Sequence, residues 1–112
     1  MNEKASLTPF KPKLPKAKGD HLCWTQLYGS SRALAIAQAL ESHFAPLLII
    51  TPETLTAERL ATEILFFSTN KNLPIKVFPD RETLPYDQFS PYHDIISDRL
   101  AILAELQTMK RG

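Results

Sequence analysis

Leu47-Leu48-Ile49-Ile50-Thr51-Pro52-Glu53 reads as a strand that runs straight into a helix. Four apolar residues in a row suit a strand buried on both faces, the environment of a parallel sheet. Thr51 is a capping residue, Pro52 suits the first helical position, and Glu53 places an acid near the positive helix end. Leu55, Leu60, Ile64 and Phe67 then carry a helical spacing to about Thr69. Lys71-Asn72-Leu73-Pro74 is a loop, and Ile75 to Phe78 is the next short strand.

Upstream the same alternation appears. His21 to Leu27 contains Trp24 and Thr25 and reads as a strand, and Tyr28-Gly29-Ser30-Ser31 as a turn. Ala33, Ile36, Ala37 and Leu40 recur at helical spacing to about Phe44-Ala45, with Ser30 or Ser31 able to cap the start. Downstream, Ser90-Pro91 is a second cap-plus-proline signal. Ile96, Leu100 and Leu103 line one face of a last helix, with Ile95, Ile102 and Leu106 beside them, and Lys110-Arg111-Gly112 reads as its end. Strand, helix, strand, helix, strand, helix predicts an α/β fold: a parallel sheet with right-handed crossovers and flanking helices. A further strand would be expected after the last helix, so the sequence reads as a fragment of something longer.

The chain has 112 residues, the size of one domain with a small core. It divides into a Lys/Pro-rich flexible arm, residues 1–19, and an α/β domain, residues 20–112. The arm carries five lysines against Glu3, net +4, and the remainder carries net −3. The mildly acidic body argues against its surface as a nucleic-acid platform, because phosphate contacts need clustered cations. The arm itself reads as a solvated terminus, with contact to DNA or a partner as the alternative. No apolar run is long enough for a membrane helix, no secretory signal is present, and Cys23 is alone. These features fit a cytoplasmic protein without a disulfide framework.

Gly29, Ser30, Ser31 and Arg32 stand where a phosphate loop would stand, between strand and helix. Such a loop needs glycines that let backbone N–H groups curl around phosphate, a lysine for the β/γ-phosphates and a Ser/Thr for magnesium. Counted from Gly29, those last positions hold Leu34, Ala35 and Ile36, and the other two glycines, Gly19 and Gly112, rescue no other register. The nucleotide loop is therefore degenerate. Arg32 and Arg99 read as surface arginines with phosphate or partner contact as the alternative. His21, His43 and His93 are too scattered for metal-ligand spacing. Cys23 is expected to be a buried, inert thiol. Asp80, Glu82 and Asp87 read as a solvated face, and no G-x-S-x-G elbow occurs.

Residues 79–93 form a long connection with three prolines. Leu84, Tyr86, Phe89 and Tyr92 give it enough apolar surface to fold back over the sheet, or to dock a neighbouring domain. Glu82-Thr83-Leu84-Pro85-Tyr86-Asp87, Phe89-Ser90-Pro91, Asp94-Ile95-Ile96-Ser97, Arg99-Leu100 and Met109-Lys110-Arg111-Gly112 resemble the N-terminal region of bacterial transcription-repair coupling factors. Gly29 and the Leu47–Pro52 junction fall in matching order.

That resemblance implies a truncated RecA-like, P-loop-helicase-like domain related to the damage-recognition helicase of the excision nuclease, with its nucleotide site decayed. The full-length family it points to is an ATP-dependent DNA translocase. It uses ATP and magnesium, binds RNA polymerase, the A component of the excision nuclease and double-stranded DNA, and couples removal of stalled polymerase to nucleotide excision repair. For the 112 residues themselves it implies no catalytic residue, no metal and no cofactor, and a scaffold that meets neighbouring domains of its own chain. The damage-gripping hairpin of the related helicase has no counterpart of sufficient length at 79–93. An active nucleotide-binding ATPase domain, or a DNA-binding module acting through the basic arm, is the alternative reading of the residues.

Overall fold

The computed structural model describes residues 2–4, 10–80 and 93–112, with residues 2–4 and His93 described by backbone alone. Five elements occur among them: β1 (Asn2–Lys4), β2 (His21–Cys23), α1 (Ser31–Ser42), α2 (Thr54–Phe67) and α3 (His93–Leu106). β1 and β2 pair in parallel, with Asn2 opposite His21, Glu3 opposite Leu22 and Lys4 opposite Cys23. Part of the stretch expected as an arm is therefore laid along the first strand of the body. β2 is shorter than the expected His21–Leu27, and its Cys23 is exposed. The expectation of a buried thiol is corrected: β1 covers one edge of β2, but among the described residues no layer covers the face from which Cys23 projects.

α1 forms because its sequence alternates alanine with good helix formers. Gly29, at φ +57°, turns the chain into it, a conformation that an L side chain adopts at a cost. The expected serine cap is absent. Ser30 sits at φ −77°, ψ −2°, already helical, so its hydroxyl is not placed over the free N–H groups, and Ser31 Oγ donates back to the Tyr28 carbonyl at 2.6 Å. α1 ends where His43 turns extended, three residues ahead of Pro46.

α2 begins at Thr54, two residues later than Pro52 predicts. Thr51 Oγ1 donates to the Glu53 carbonyl at 3.0 Å, and Glu53 is extended at φ −142°, ψ 151°, so residues 51–53 remain outside the helix. The start of α3 expected at Ser90-Pro91 lies outside the described residues. Its end is corrected from Lys110–Gly112 to Leu106.

The core lies between α1 and α2. Ala33, Ile36, Ala37 and Leu40 of α1 meet Leu60 and Ile64 of α2, with Leu73 closing one end and Trp24, Phe67 and Ile75 packed around them. Small alanine side chains let the two helices approach closely, but they also keep the buried volume small. No large side chain among the described residues is fully enclosed.

The two apolar runs expected as central strands join no ladder among the described residues. Their exposure nevertheless alternates. Leu47 and Ile49 are 37% and 38% exposed, Leu48 and Ile50 84% and 87%. Burial on both faces, expected from the unbroken apolar run, is thus corrected to partial cover on one face only. Residues 75–78 alternate in the same way, with Ile75 and Val77 half-buried and Lys76 and Phe78 exposed. Leu48 to Thr51 and Ile75 to Phe78 face a common cavity of about 310 Å³.

Candidate functional site

At the turn that carries the degenerate nucleotide loop, the chain closes on itself. Ser31 N–H and Ser31 Oγ both donate to the Tyr28 carbonyl, and Leu34 N–H donates to the Ser30 carbonyl. The Ser31 hydroxyl, one of the two that could have met an anion, is spent within the turn. Tyr28, Gly29, Ser30 and Arg32 are exposed. The positions that would carry lysine and Ser/Thr are occupied by packing residues: Ala35 is 0% exposed and Ile36 9%. Ile36 belongs to the helix–helix core, while Ala35 is enclosed outside that cluster.

Arg32 and Arg99 are not brought together. Arg99 lies on α3, where its Nη1 donates to the Pro79 carbonyl at 2.7 Å and its guanidinium sits 4.3 Å from the centre of the Phe78 ring. It pins α3 to the 75–79 segment. Among the described residues no group of three His, Cys, Asp or Glu side chains is placed to hold a metal ion. Asp80 is exposed, while Glu82 and Asp87 lie outside the described residues, as do Leu84, Tyr86, Phe89 and Tyr92.

Two features escaped the sequence. The first is an apolar cavity of about 400 Å³ between the helices, lined by Leu40, Leu47, Ile64, Ile75, Leu103 and Met109 among others. It separates α3 from the α1–α2 core. Its walls come from segments far apart in the chain, so no local pattern announces it.

The second is Arg111, expected at the end of its own helix. Its Nη2 instead donates to the Leu40 and Glu41 carbonyls at 2.9 and 3.3 Å, and its guanidinium stands 4.8 Å from the centre of the Phe44 ring. These carbonyls belong to the last turn of α1, whose C=O groups have no partner within the helix. Lys71 serves α2 in the same way: Nζ donates to the Leu65 and Phe66 carbonyls, both at 2.8 Å. Neither helix has a cation in its own last turn.

The far end of the chain is fixed at the same place. Leu47 N–H donates to the Gly112 carbonyl at 2.7 Å. A Cβ at Gly112 would stand 2.5 Å from the Pro74 carbonyl oxygen, and its φ is +134°. Glycine is required there on both counts.

No helix among the described residues is long and apolar enough to cross a membrane. No protein-family model matches the chain, and no solved structure matches it. Among curated proteins it is 38% identical over 103 residues to the transcription-repair-coupling factor of Haemophilus influenzae and 39% identical over 103 residues to that of Escherichia coli. Each match covers 92% of the chain and 9% of the relative. The Rickettsia prowazekii factor is 43% identical over 56 residues, half of the chain. The chain thus spans less than a tenth of the length of these relatives.

Proposed function

Since this chain is homologous over nearly all its length to one segment of transcription-repair-coupling factor, we propose that it is a non-catalytic scaffold segment of such a factor, acting through contacts with other parts of the same protein. The observation that carries the reading is the fate of the nucleotide-loop positions. Ala35 and Ile36 are both buried, Ile36 within the helix–helix core, and the Ser31 hydroxyl is turned onto Tyr28. A phosphate loop works by presenting backbone N–H groups, a lysine and a magnesium-binding hydroxyl to one anion. Here the side-chain members of that set are replaced by packing.

We further propose the α/β, RecA-like architecture as the frame to which the segment belongs, with the one-sided runs 47–50 and 75–78 as its strands. The activity of the whole factor, ATP-dependent movement on double-stranded DNA with RNA polymerase and the A component of the excision nuclease as partners, would then reside outside these 112 residues.

Titration of the chain with ATP, with and without magnesium, tests the reading. No magnesium-dependent binding at micromolar ATP is expected, and no turnover above background. Micromolar, magnesium-dependent binding would show an active nucleotide-binding domain instead.

A further inference from the structure

The strongest concentration of charge lies outside the nucleotide-loop turn. Residues 10–20 carry Lys11, Lys13, Lys16 and Lys18 against Asp20 alone, while the body is net acidic. All four lysines are exposed, and none is ion-paired among the described residues, where the ion pair found is Lys76–Glu105 on another face. Asp20 offsets one of them and leaves a net +3 over the segment. Its Oδ2 accepts the Lys16 and Ala17 backbone N–H groups at 3.2 and 2.9 Å, which folds residues 16–20 into a turn.

The segment is also held in place. Trp24 Nε1 donates to the Lys13 carbonyl at 3.0 Å, and Asp20 N–H closes a turn on the Ala17 carbonyl. At its C-terminal root the segment runs directly into β2, which is held by its pairing with β1. A basic tail would lose conformational entropy on meeting a partner; a tethered loop has lost part of it already.

We propose that this loop is a sequence-independent contact for the phosphate backbone of duplex DNA, made by Lys11, Lys13, Lys16 and Lys18. Lysine is a mobile point charge that suits phosphate without reading bases. Pro12 and Pro15 keep the stretch out of helix and ladder, and an open chain of this length reaches roughly 20–25 Å. One strand of duplex offers a phosphate about every 3.4 Å along the axis, so several lie within that reach. The loop is not an amphipathic helix with an apolar face to insert, as a membrane-surface anchor would be. The acidic body repels a polyanion and confines the contact to the loop. This contact is independent of the scaffold reading, because the loop shares no residue with the nucleotide-loop turn.

The experiment is a fluorescence-anisotropy titration of the 112-residue chain with a labelled duplex of about 20 base pairs and arbitrary sequence, between about 50 and 200 mM salt. Weak binding is expected, with a dissociation constant of about 10⁻⁴–10⁻⁶ M at physiological salt and a log–log salt slope of about −3 to −4, since each neutralised phosphate contributes about −0.9. The combined variant K11Q/K13Q/K16Q/K18Q should lose at least about tenfold in affinity at the low-salt end and flatten the slope, with its melting temperature unchanged. Wild-type affinity in that variant would overturn the proposal, as would absence of duplex binding by the wild type at the lowest salt. A second duplex of unrelated sequence should bind within about twofold; a preference of about tenfold would overturn the sequence-independent contact. Tighter binding to phosphatidylserine-containing vesicles than to duplex at equal salt would reassign the loop to a lipid surface.

Discussion

Arg111 shows how one residue can complete an element to which it does not belong. A helix leaves its last carbonyls unsatisfied and carries partial negative charge at that end. The Arg111 guanidinium answers both needs for α1 and also lies over Phe44. Its Nε is buried without a partner, a small penalty set against those contacts. Arg111→Met keeps the stem and removes the guanidinium, so it should destabilise the chain by about 1–2 kcal/mol, the value of a partly buried, charge-assisted pair of hydrogen bonds. Arg111→Lys should recover only part of this, because a single ammonium cannot both reach the carbonyls and lie flat over the ring. Urea melts of both variants measure it; wild-type stability in the methionine variant would show the contact to be idle.

At the scale of elements, the helices were legible, β2 was legible only at its start, and the two later apolar runs join no ladder among the described residues. Ala33, Ile36, Ala37 and Leu40, then Leu60, Ile64 and Phe67, recur at a spacing that only a helix places on one face, and α1 and α2 are found there. A strand carries no such internal guarantee. Its hydrogen bonds belong to its neighbours, so Leu47–Ile50 and Ile75–Phe78 show the alternation of a strand without a ladder. The caps failed for a related reason. Ser30 and Thr51 are good capping residues by type, but Ser30 is already helical and the Thr51 hydroxyl is committed to a local turn, neither of which residue type reports. Of the candidate site, the loss of the nucleotide motif was legible in Leu34, Ala35 and Ile36. The caps supplied by Lys71 and Arg111 were not, since each comes from outside the helix it serves.

α3 is the element least bound to the rest. It packs on neither α1 nor α2; Arg99 on Phe78 and Pro79, and the exposed Lys76–Glu105 pair at 3.5 Å, hold it from the 75–79 side. An exposed pair of this kind contributes at most about 1 kcal/mol. Its Leu100, Leu103 and Leu106 remain 62%, 48% and 46% exposed. A helix of 14 residues is marginal without packing. Hydrogen exchange should therefore show residues 96–106 less protected than α1 and α2, and Arg99→Ala should lower their protection by about a further tenfold while α2 is unchanged. Uniform protection across the three helices would show that α3 is part of the same cooperative unit.

For the whole molecule, the balance of buried and exposed apolar groups governs stability. The buried apolar set among the described residues is small and rich in alanine, while Tyr28, Phe44, Leu48, Ile50, Leu55 and Phe66 are largely exposed. Small domains bury too little surface to be more than marginally stable. Urea unfolding should give a stability below about 5 kcal/mol, near the low end for folded domains, and the chain should bind an apolar dye such as ANS before any unfolding, at the 400 Å³ cavity and the exposed runs beside it. A cooperative transition well above that stability, with no dye binding, would mean that these apolar groups are covered in solution, by self-association for instance, which a sedimentation measurement would reveal.

Trp24 is the single tryptophan of the chain, and its indole N–H is the group that fastens Lys13. The molecule thus contains a built-in fluorophore at the root of its basic loop, one residue from its single cysteine, Cys23, which is exposed. Indole emission responds to the loss of a hydrogen bond and to wetting. Loosening of the loop would register as a spectral shift, without an added tag, while a dye on the Cys23 thiol would report quenching from the same spot. Two optical signals can therefore follow this one corner of the protein through a salt series or a temperature ramp.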